Sequence, residues 1–441
     1  MAVVKWHEGL TAKHGQVLVA SFMGWVFDGY ETYALIVVLG PALGALLTPE
    51  QAAAHSLWAG IAVGVTLFGW GIGGLIGGVL ADYIGRKRMM LISMILYALF
   101  SAITAFSQTI GELIALRFLT GLALGSEWST GIALIAETWP ERARAKGAGF
   151  LQSGFGWGGL LAALVWLVIS YLQPLGDGSW RLMFVIGALP ALLSLYVRRN
   201  LDESERWQQA VAEKQWSTTE AEVDRAAAAD DKRPFTLTEI FRQPESRRRV
   251  LLTSALSMVT MVGWYGVSTW LPSHTAVLAK AQGLQDPSSW GAWIGTLYML
   301  GAIVAYLLSG FLIDAIGRRS FLWLTYAGSL VMAPITYWLT TTATAMQIVA
   351  PINGFFTLGL AFSWMAIYPA ELFTSTVRTT AASFIFNASR LVAGFFPIIA
   401  GSIIGGLGGV VTAALIISTV YVLGLVLPLW LPETRGKGLP G

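Results

Sequence analysis

The chain has no cysteine and few charged residues. Only 12% of its 441 residues are Asp, Glu, Lys or Arg, against about 25% in soluble domains. The absence of cysteine excludes disulfides, thiolate nucleophiles and cysteine-ligated metal sites. The four histidines, at positions 7, 14, 55 and 274, belong to no cluster with the spacing of a catalytic or metal site. We therefore expect neither an enzyme nor a bound metal or cofactor.

Apolar residues make up most of the chain. They form 55% of the chain, and the mean hydropathy is +0.64. A bilayer is crossed by roughly 20 apolar residues, and a crossing segment is helical because an open strand would leave backbone groups unpaired. We predict an all-α membrane protein with twelve transmembrane helices, near residues 17–46, 56–80, 89–107, 110–136, 147–172, 180–197, 250–272, 289–313, 320–340, 345–369, 379–404 and 408–430.

The distribution of basic residues predicts the orientation. If the chain starts inside, 24 of its 28 Lys and Arg lie in segments on the inner side. The outer segments hold only Arg181 and Lys280, and two arginines lie within spans. The positive-inside rule then places both termini in the cytoplasm and the protein in the cell (inner) membrane. The first run is too long for a cleavable signal peptide, so we expect it to be a retained span.

A charged loop divides the chain into halves. Residues 198–249 carry eleven basic and eleven acidic side chains, with a short alanine run at 226–229 that suggests local helix. We interpret this loop as a solvated cytoplasmic linker. It separates an N-terminal six-helix bundle, residues 1–197, from a C-terminal six-helix bundle, residues 250–441.

The two halves repeat each other. The sequence GVLADYIGRK at 78–87 matches GFLIDAIGRR at 310–319, an offset of 232 residues. A second pair agrees at an offset of 234, because Glu137 precedes Arg144 by seven residues and Glu371 precedes Arg378 by seven. Two copies at equivalent helix ends indicate an internal duplication, and parallel repeats of six helices are an established transporter architecture.

Acidic residues within the first apolar run are costly. Asp28 and Glu31 lie in the middle of the run 17–46, where an ionised acid costs at least ~2.5–3.5 kcal/mol in lipid. They are three residues apart and therefore share one side of a helix. We predict that this side lines a polar path through the protein.

The repeated pattern G-x-x-x-D-x-x-G-R-K/R resembles the signature of the major facilitator superfamily, and the resemblance covers the whole chain. RFLTGLALG at 117–125 and LPETRG at 431–436 agree with it. DGYE at 28–31 looks like a motif of proton-coupled organic-acid symporters, and GSEW at 125–128 is similar to the sialate and lactate branch. The PET ending also resembles sugar porters. The resemblance implies two pseudo-symmetric six-helix bundles.

The resemblance further implies a secondary active transporter: proton symport of a small organic anion by alternating access. The anion would be a monocarboxylate, an aromatic acid or a sialate-like acid. In the proton-coupled sugar porters that this chain resembles, the acid and arginine matching Glu31 and Arg117 form the coupling pair. Asp28 and Glu127 are further candidates for proton coupling. The alternatives are a permanent Glu31–Arg117 ion pair and a structural hydrogen bond for Asp28.

Arg390 lies near the middle of the eleventh span, where a buried guanidinium needs an anionic partner. Organic-acid symporters of this type carry a matching arginine. We predict that Arg390 binds the substrate carboxylate, with Asn387 one turn earlier on the same side. The alternative is a structural pair with a carboxylate of the first or fourth span. The other candidates for lining the cavity are Gln152, Trp157, Trp264 and Tyr265.

Charged residues at the cytoplasmic helix ends are predicted to close one state of the transport cycle through ion pairs that break as the halves rock. These candidate gate residues are Asp82, Arg86, Glu137, Arg144, Asp314, Arg318, Glu371 and Arg378.

Other functions remain open at the level of the sequence. A sugar or polyol porter, coupled or facilitative, is the nearest alternative, although a neutral sugar does not need the buried cation at Arg390. A non-transporting membrane sensor is an alternative of another class. The expected partners are a small organic anion, protons and lipid, with no nucleic acid, and the protein is expected to be a monomer.

Overall fold

The structure is a computed structural model that describes residues 5–213, 235–395 and 406–440. Every regular element in these ranges is a helix, and they contain no strand. Ten helical segments of this described chain are long and apolar enough to cross a membrane. Two more helices occupy the ninth and eleventh places of the predicted order, which gives the twelve helices expected from the sequence.

The twelve membrane helices are numbered in chain order. The first six are α1 (Ala12–Leu46), α2 (His55–Ile84), α3 (Arg86–Thr104), α4 (Ile110–Leu124 with Glu127–Thr138), α5 (Glu141–Leu172) and α6 (Arg181–Ile186 with Pro190–Asn200). The last six are α7 (Pro244–Gly266 with Leu271–Ala281), α8 (Pro287–Ile316), α9 (Arg318–Pro334 with Ile335–Leu339), α10 (Ala343–Gly354, Phe355–Leu360 and Ala361–Leu372), α11 (Arg378–Ala393) and α12 (Val410–Ser418, Tyr421–Val426 and Leu427–Trp430).

Short helices connect some of these segments. They are Pro49–Ala52, Gly176–Gly178, Glu205–Ala212, Thr236–Arg242 and Ser268–Trp270. Two of them lie in the interval predicted as a linker, and α7 begins at Pro244, six residues earlier than predicted. The alanine run at 226–229 lies outside the described residues.

A single glycine joins α2 to α3 and α8 to α9. Gly85 has φ 100° and Gly317 has φ 89°, which are values that side-chain-bearing residues rarely adopt. The glycine before the basic pair in each repeated motif is therefore required by the turn. The duplication seen in the sequence is also a duplication of backbone conformation.

Glycines bring helix pairs into close contact within the first half. A Cβ atom on Gly158 of α5 would lie 1.9 Å from the carbonyl oxygen of Val26 in α1. A Cβ on Gly73 of α2 would lie 1.9 Å from the carbonyl oxygen of Leu122 in α4. Small residues allow this close approach of helices in membranes. Packing of α1 on α5 and of α2 on α4 brings the polar side chains of α1 and α4 close together.

The two sets of six helices meet along α2 with α11 and α5 with α8. Contacts at one end of the bundle join the start of α1 to the end of α4 (His14 Nε2 to Thr138 O, 3.1 Å) and the start of α11 to the C-terminal segment (Arg378 Nη2 to Pro440 O, 3.0 Å). We call this end the termini side, because it holds both ends of the described chain.

Candidate functional site

A central cavity lies between the two halves. Helices α1, α2 and α5 line it from one half, and α7, α8, α10 and α11 line it from the other. Eight of the fourteen lining residues are aromatic, so the walls offer large flat apolar surfaces. The lining residues are Trp25, Thr32, Leu67, Trp70, Gln152, Phe155, Met261, Trp264, Tyr265, Tyr306, Leu358, Phe362, Phe386 and Arg390.

Arg390 is the basic residue of this lining. Its guanidinium carbon lies 3.8 Å from the ring centre of Trp70 and 4.1 Å from that of Phe386, so the cation stacks between one ring from each half. Its side chain donates to Asn387 Oδ1 at 3.4 Å. No carboxylate of the described chain pairs with Arg390 within 4.0 Å, although the residue is only 5% exposed. Asp28 acts on this cation electrostatically, but no carboxylate of the described chain forms a direct bridge to it, so the guanidinium is suited to an anionic ligand.

Of the other residues predicted to bind substrate, some line the cavity and others do not. Gln152, Trp264 and Tyr265 line the cavity. Asn387 lies behind the lining, where it bonds Ser383 of its own helix and packs against Gly74 of α2.

The structure places Trp157 away from the central cavity. Trp157 is 44% exposed and is absent from the cavity lining. It lies five residues after Gln152, which turns it about 140° away from the cavity side of α5 at 3.6 residues per turn. Its indole faces outward with the other exposed apolar side chains.

Glu31 and Arg117 are in direct contact within the first half. Arg117 Nη1 donates to Glu31 Oε2 at 2.9 Å, and Ser101 of α3 donates to Glu31 Oε1 at 2.5 Å. Arg117 also donates to Thr104 and Thr120. Both charged side chains are 1% exposed. This pair joins α1, α3 and α4 inside the first bundle, and neither residue lines the central cavity.

Asp28 and Glu127 are buried with few polar partners. Asp28 is 0% and Glu127 is 2% exposed, the Asp28 oxygens accept no hydrogen bond in the described structure, and Glu127 faces only the hydroxyl of Tyr97. The Glu127 carboxyl group lies against Gly24, one turn before Asp28 on α1, and the two acids interact electrostatically. A buried carboxylate without partners is strongly unfavourable, so these two groups are suited to hold a proton.

A network of charges closes the termini side between the halves. Glu137 of α4 pairs with Arg86 at 3.0 Å and with Arg378 of α11 at 2.9 Å, and all three side chains are 0% exposed. Asp82 accepts from Thr380 of α11 at 2.8 Å and pairs with Arg86 at 3.2 Å. The network therefore joins α2 and α4 of one half to α11 of the other.

In the second copy of the motif, the arginine pairs with acids of its own half, and a different residue bridges the two halves. Arg318 bonds Glu371 through two nitrogens, at 2.5 and 2.9 Å, and pairs with Asp314 at 3.1 Å. The bridge between halves on this side runs from Asp314 to Lys146 of α5, at 2.5 Å. Arg144 forms no ion pair within 4.0 Å in the described residues.

Glu137→Gln should open the termini side. The substitution leaves Arg86 and Arg378 as buried cations with less compensation, and breaking a buried pair costs about 3–5 kcal/mol. Because the chain has no cysteine, Ser383→Cys introduces a unique thiol at the packed α2–α11 interface. Maleimide labelling of this thiol should be at least about tenfold faster with Glu137→Gln. The rate of labelling should not change with the exposed control Glu112→Gln. Equal rates with and without Glu137→Gln would contradict the role of Glu137 in closing the termini side.

Two glutamates bind the N-terminal ends of α3 and α9. Glu203 accepts from the backbone N–H of Arg86 at 2.9 Å, and Glu433 accepts from that of Arg318 at 3.0 Å. Such carboxylates stabilise helix N-termini. Sequence reasoning missed Glu203, although it precedes Glu433 by 230 residues, close to the repeat offset of 232.

Glu433→Gln should lower stability at neutral pH only. Burial acts to raise the pKa of the Glu433 carboxyl, but the backbone N–H donors of Arg318, Arg319 and Arg435 outweigh it and hold that pKa below its ordinary value. A lowered folded-state pKa contributes stability above the unfolded pKa, about 4.3, and this contribution is lost as pH falls through the folded-state value. Thermal unfolding in detergent should show a deficit of about 0.3–1 kcal/mol at pH 7. A deficit that persists at pH 3 would argue against this origin.

Comparison with known proteins agrees with the fold. The family model described as "Sugar (and other) transporter" matches residues 17–440. The chain therefore belongs to this family of the major facilitator superfamily and is a transporter. The inner membrane metabolite transport protein YgcS of Escherichia coli is 28% identical over 449 residues, covering 97% of this chain and 93% of the relative.

The cis,cis-muconate transport protein of Acinetobacter baylyi is 28% identical over 387 residues, covering 86% of each chain. Among solved structures, the proton:xylose symporter XylE bound to 6-bromo-6-deoxy-D-glucose has a TM-score of 0.78 at 18% identity, covering 97% of this chain and 98% of that one. The latter similarity concerns the fold. The protein is a multi-pass membrane transporter of this superfamily.

Proposed function

We propose that the protein imports a small unsaturated or aromatic carboxylate together with protons, by alternating access. The observation that carries this proposal is Arg390, a buried guanidinium with no carboxylate of the described chain within 4.0 Å, stacked against aromatic rings in the central cavity. A planar fork of donors suits a carboxylate. The aromatic walls suit a flat apolar body, and the relative named for cis,cis-muconate supports an organic acid.

The acids of the first half would carry the protons. Asp28 accepts no hydrogen bond in the described structure and Glu127 faces only the Tyr97 hydroxyl, so each can take a proton without breaking an ion pair. Neutralising them removes repulsion of the incoming anion. Glu31 would join the cycle if Arg117 moved away from it, and re-pairing would expel the proton.

Glu31→Gln should uncouple transport from the proton gradient. The amide keeps the bond to Ser101 but cannot exchange a proton, so substrate exchange should continue while uphill accumulation is lost. The measurement is counterflow against gradient-driven uptake in proteoliposomes. Since Arg117 would lose its charged partner, thermal unfolding must confirm that the variant is folded. Continued accumulation in a proton gradient would limit the Glu31–Arg117 pair to a structural role.

The proposed orientation places the termini side in the cytoplasm of an inner-membrane protein that acts as a monomer. Most basic residues lie on that side, in agreement with the positive-inside rule. Because the halves meet there through Glu137, Asp82 and Asp314, the described state would be closed toward the cytoplasm. These ion pairs would break when the substrate is released inward.

A thermal-shift screen of organic acids on detergent-purified protein tests the substrate class directly, because a ligand raises stability according to its affinity. Aromatic and unsaturated acids should shift the melting temperature. Stabilisation by sialate alone would move the assignment to another acid.

The second candidate is a sugar or polyol porter, which the likeness to the xylose symporter favours at the level of the fold. Stabilisation by sugars in the same thermal-shift screen, with no response to acids, would select it.

A further inference from the structure

We infer that Trp128 is a positioning residue that gives the cavity a second polar anchor, a hydrogen-bond donor on Gln152. This inference rests on the proposed function, since it concerns how the same cavity selects among organic acids. Trp128 is 2% exposed and is absent from the cavity lining. It therefore acts on a ligand only through the residues that it holds.

The hydrogen bond from Trp128 fixes the orientation of the Gln152 amide. Trp128 Nε1 donates to Gln152 Oε1 at 2.7 Å, and both side chains are buried. An indole N–H can only donate, so the atom facing it is the amide oxygen. The amide nitrogen of Gln152 has two donor hydrogens. One faces the Tyr306 hydroxyl, and the other is left for the cavity that both residues line. Trp25 holds the backbone of the same residue through Nε1 to Gln152 O at 3.2 Å.

Trp128 also supports the first anchor. Its ring stacks on Phe386 of α11 with centroids 4.0 Å apart and planes inclined by 22°. Phe386 in turn carries the guanidinium of Arg390 on its face. One indole thus connects both polar groups, one from each half of the protein.

The consequence is a cavity with donors at two places. Arg390 offers donors to a carboxylate, and Gln152 offers a donor to a second acceptor on the same ligand. A ring nitrogen, carbonyl or further carboxyl group meets this requirement, whereas a purely hydrocarbon ring does not. An unmet buried donor weakens binding, so the second anchor discriminates between acids of equal size.

The test uses benzoate, nicotinate and isonicotinate, which differ only in the presence and place of a ring-nitrogen acceptor. Dissociation constants are measured by titration calorimetry on the detergent-purified full chain. In the unmodified protein, at least one pyridine acid should bind about fivefold or more tighter than benzoate. Trp128→Phe keeps a ring against Phe386 but removes the donor, so the advantage should shrink to within about twofold. The affinity for benzoate should stay unchanged.

Further variants distinguish a positioning role of Trp128 from a general loss of structure. Trp180→Phe replaces another buried tryptophan outside the cavity and should leave the ratio of affinities unchanged. Gln152→Met removes the anchor itself, and the Trp128→Phe/Gln152→Met double variant should lose no more of the advantage than Gln152→Met alone. Additive losses, or an unchanged ratio in Trp128→Phe, would overturn the inference.

Failure of the inference is distinguishable from failure of the proposed function. If all three acids bind with equal affinity and depend on Arg390, the second anchor is refuted while the organic-acid assignment stands. If none of them binds, both are refuted.

Discussion

Replacing Arg390 with methionine should abolish organic-acid binding and raise the melting temperature of the ligand-free protein. Truncating one partner of a buried charge pair costs about 2–5 kcal/mol, so affinity should fall at least about 30-fold. In the empty protein the guanidinium is buried without a carboxylate, and an apolar side chain of similar size removes that penalty. For a chain of 441 residues, a gain of 1 kcal/mol would appear as a rise of about 1 °C.

Calorimetry and thermal unfolding of the same preparation measure both effects. Arg390→Lys keeps the charge but loses the planar fork, so its affinity should lie between the two extremes. Lys280→Ala, an exposed change in the helix Leu271–Ala281, serves as the neutral control. An acid that binds Arg390→Met within about threefold of its normal affinity would exclude Arg390 as its anchor. A modest loss for a sugar, with no response to acids, would favour the sugar porter.

Asp28→Asn and Glu127→Gln should each abolish proton-driven accumulation while substrate exchange continues. For one proton per substrate, an inward gradient of one pH unit supports about tenfold accumulation. The amides cannot carry protons, so accumulation in proteoliposomes should fall to about onefold. Because neither carboxyl group forms an ion pair in the described structure, and the amide of Glu127→Gln can still accept from Tyr97, neither substitution should lower the melting temperature. The result would separate proton carriage from folding.

The matching measurement follows internal pH with a trapped dye. Substrate added outside should acidify vesicles that contain the unmodified protein and should leave the pH of vesicles with either variant constant. Asp177→Asn alters an exposed acid in the helix Gly176–Gly178 and should behave as the unmodified protein. A variant that still accumulates tenfold would show that its acid is not the coupling site. If only one of the two fails to accumulate, coupling belongs to that residue.

The two expected results have one physical basis. Arg390 has no carboxylate within 4.0 Å, Asp28 and Glu127 have no basic residue within that distance, and all three are buried in the described structure. Each is unfavourable in an empty apolar interior unless a ligand or a proton neutralises it. By contrast, Glu31 and Arg117 neutralise each other, and Glu137 lies between two arginines.

The sequence by itself determined the fold class and the superfamily. The sequence has twelve apolar runs of about the length that crosses a bilayer, and these runs contain few charged residues. It also has two copies of one helix-end motif. Few other architectures are compatible with these features. These are local properties that require no knowledge of packing. The need for glycine at positions 85 and 317 is also a local property, because other residues rarely adopt the backbone angles found there.

Only the tertiary structure decided which charges have partners. Spacing along a helix gives a side chain's direction, but the partner of a buried charge lies on another helix, and its distance depends on tilt and packing. Spacing alone therefore grouped Asp28 with Glu31, whereas the structure pairs Glu31 with Arg117 and leaves Asp28 beside Glu127. The exposed position of Trp157 and the Trp128–Gln152 hydrogen bond could not be predicted from the sequence, because both depend on how the helices pack.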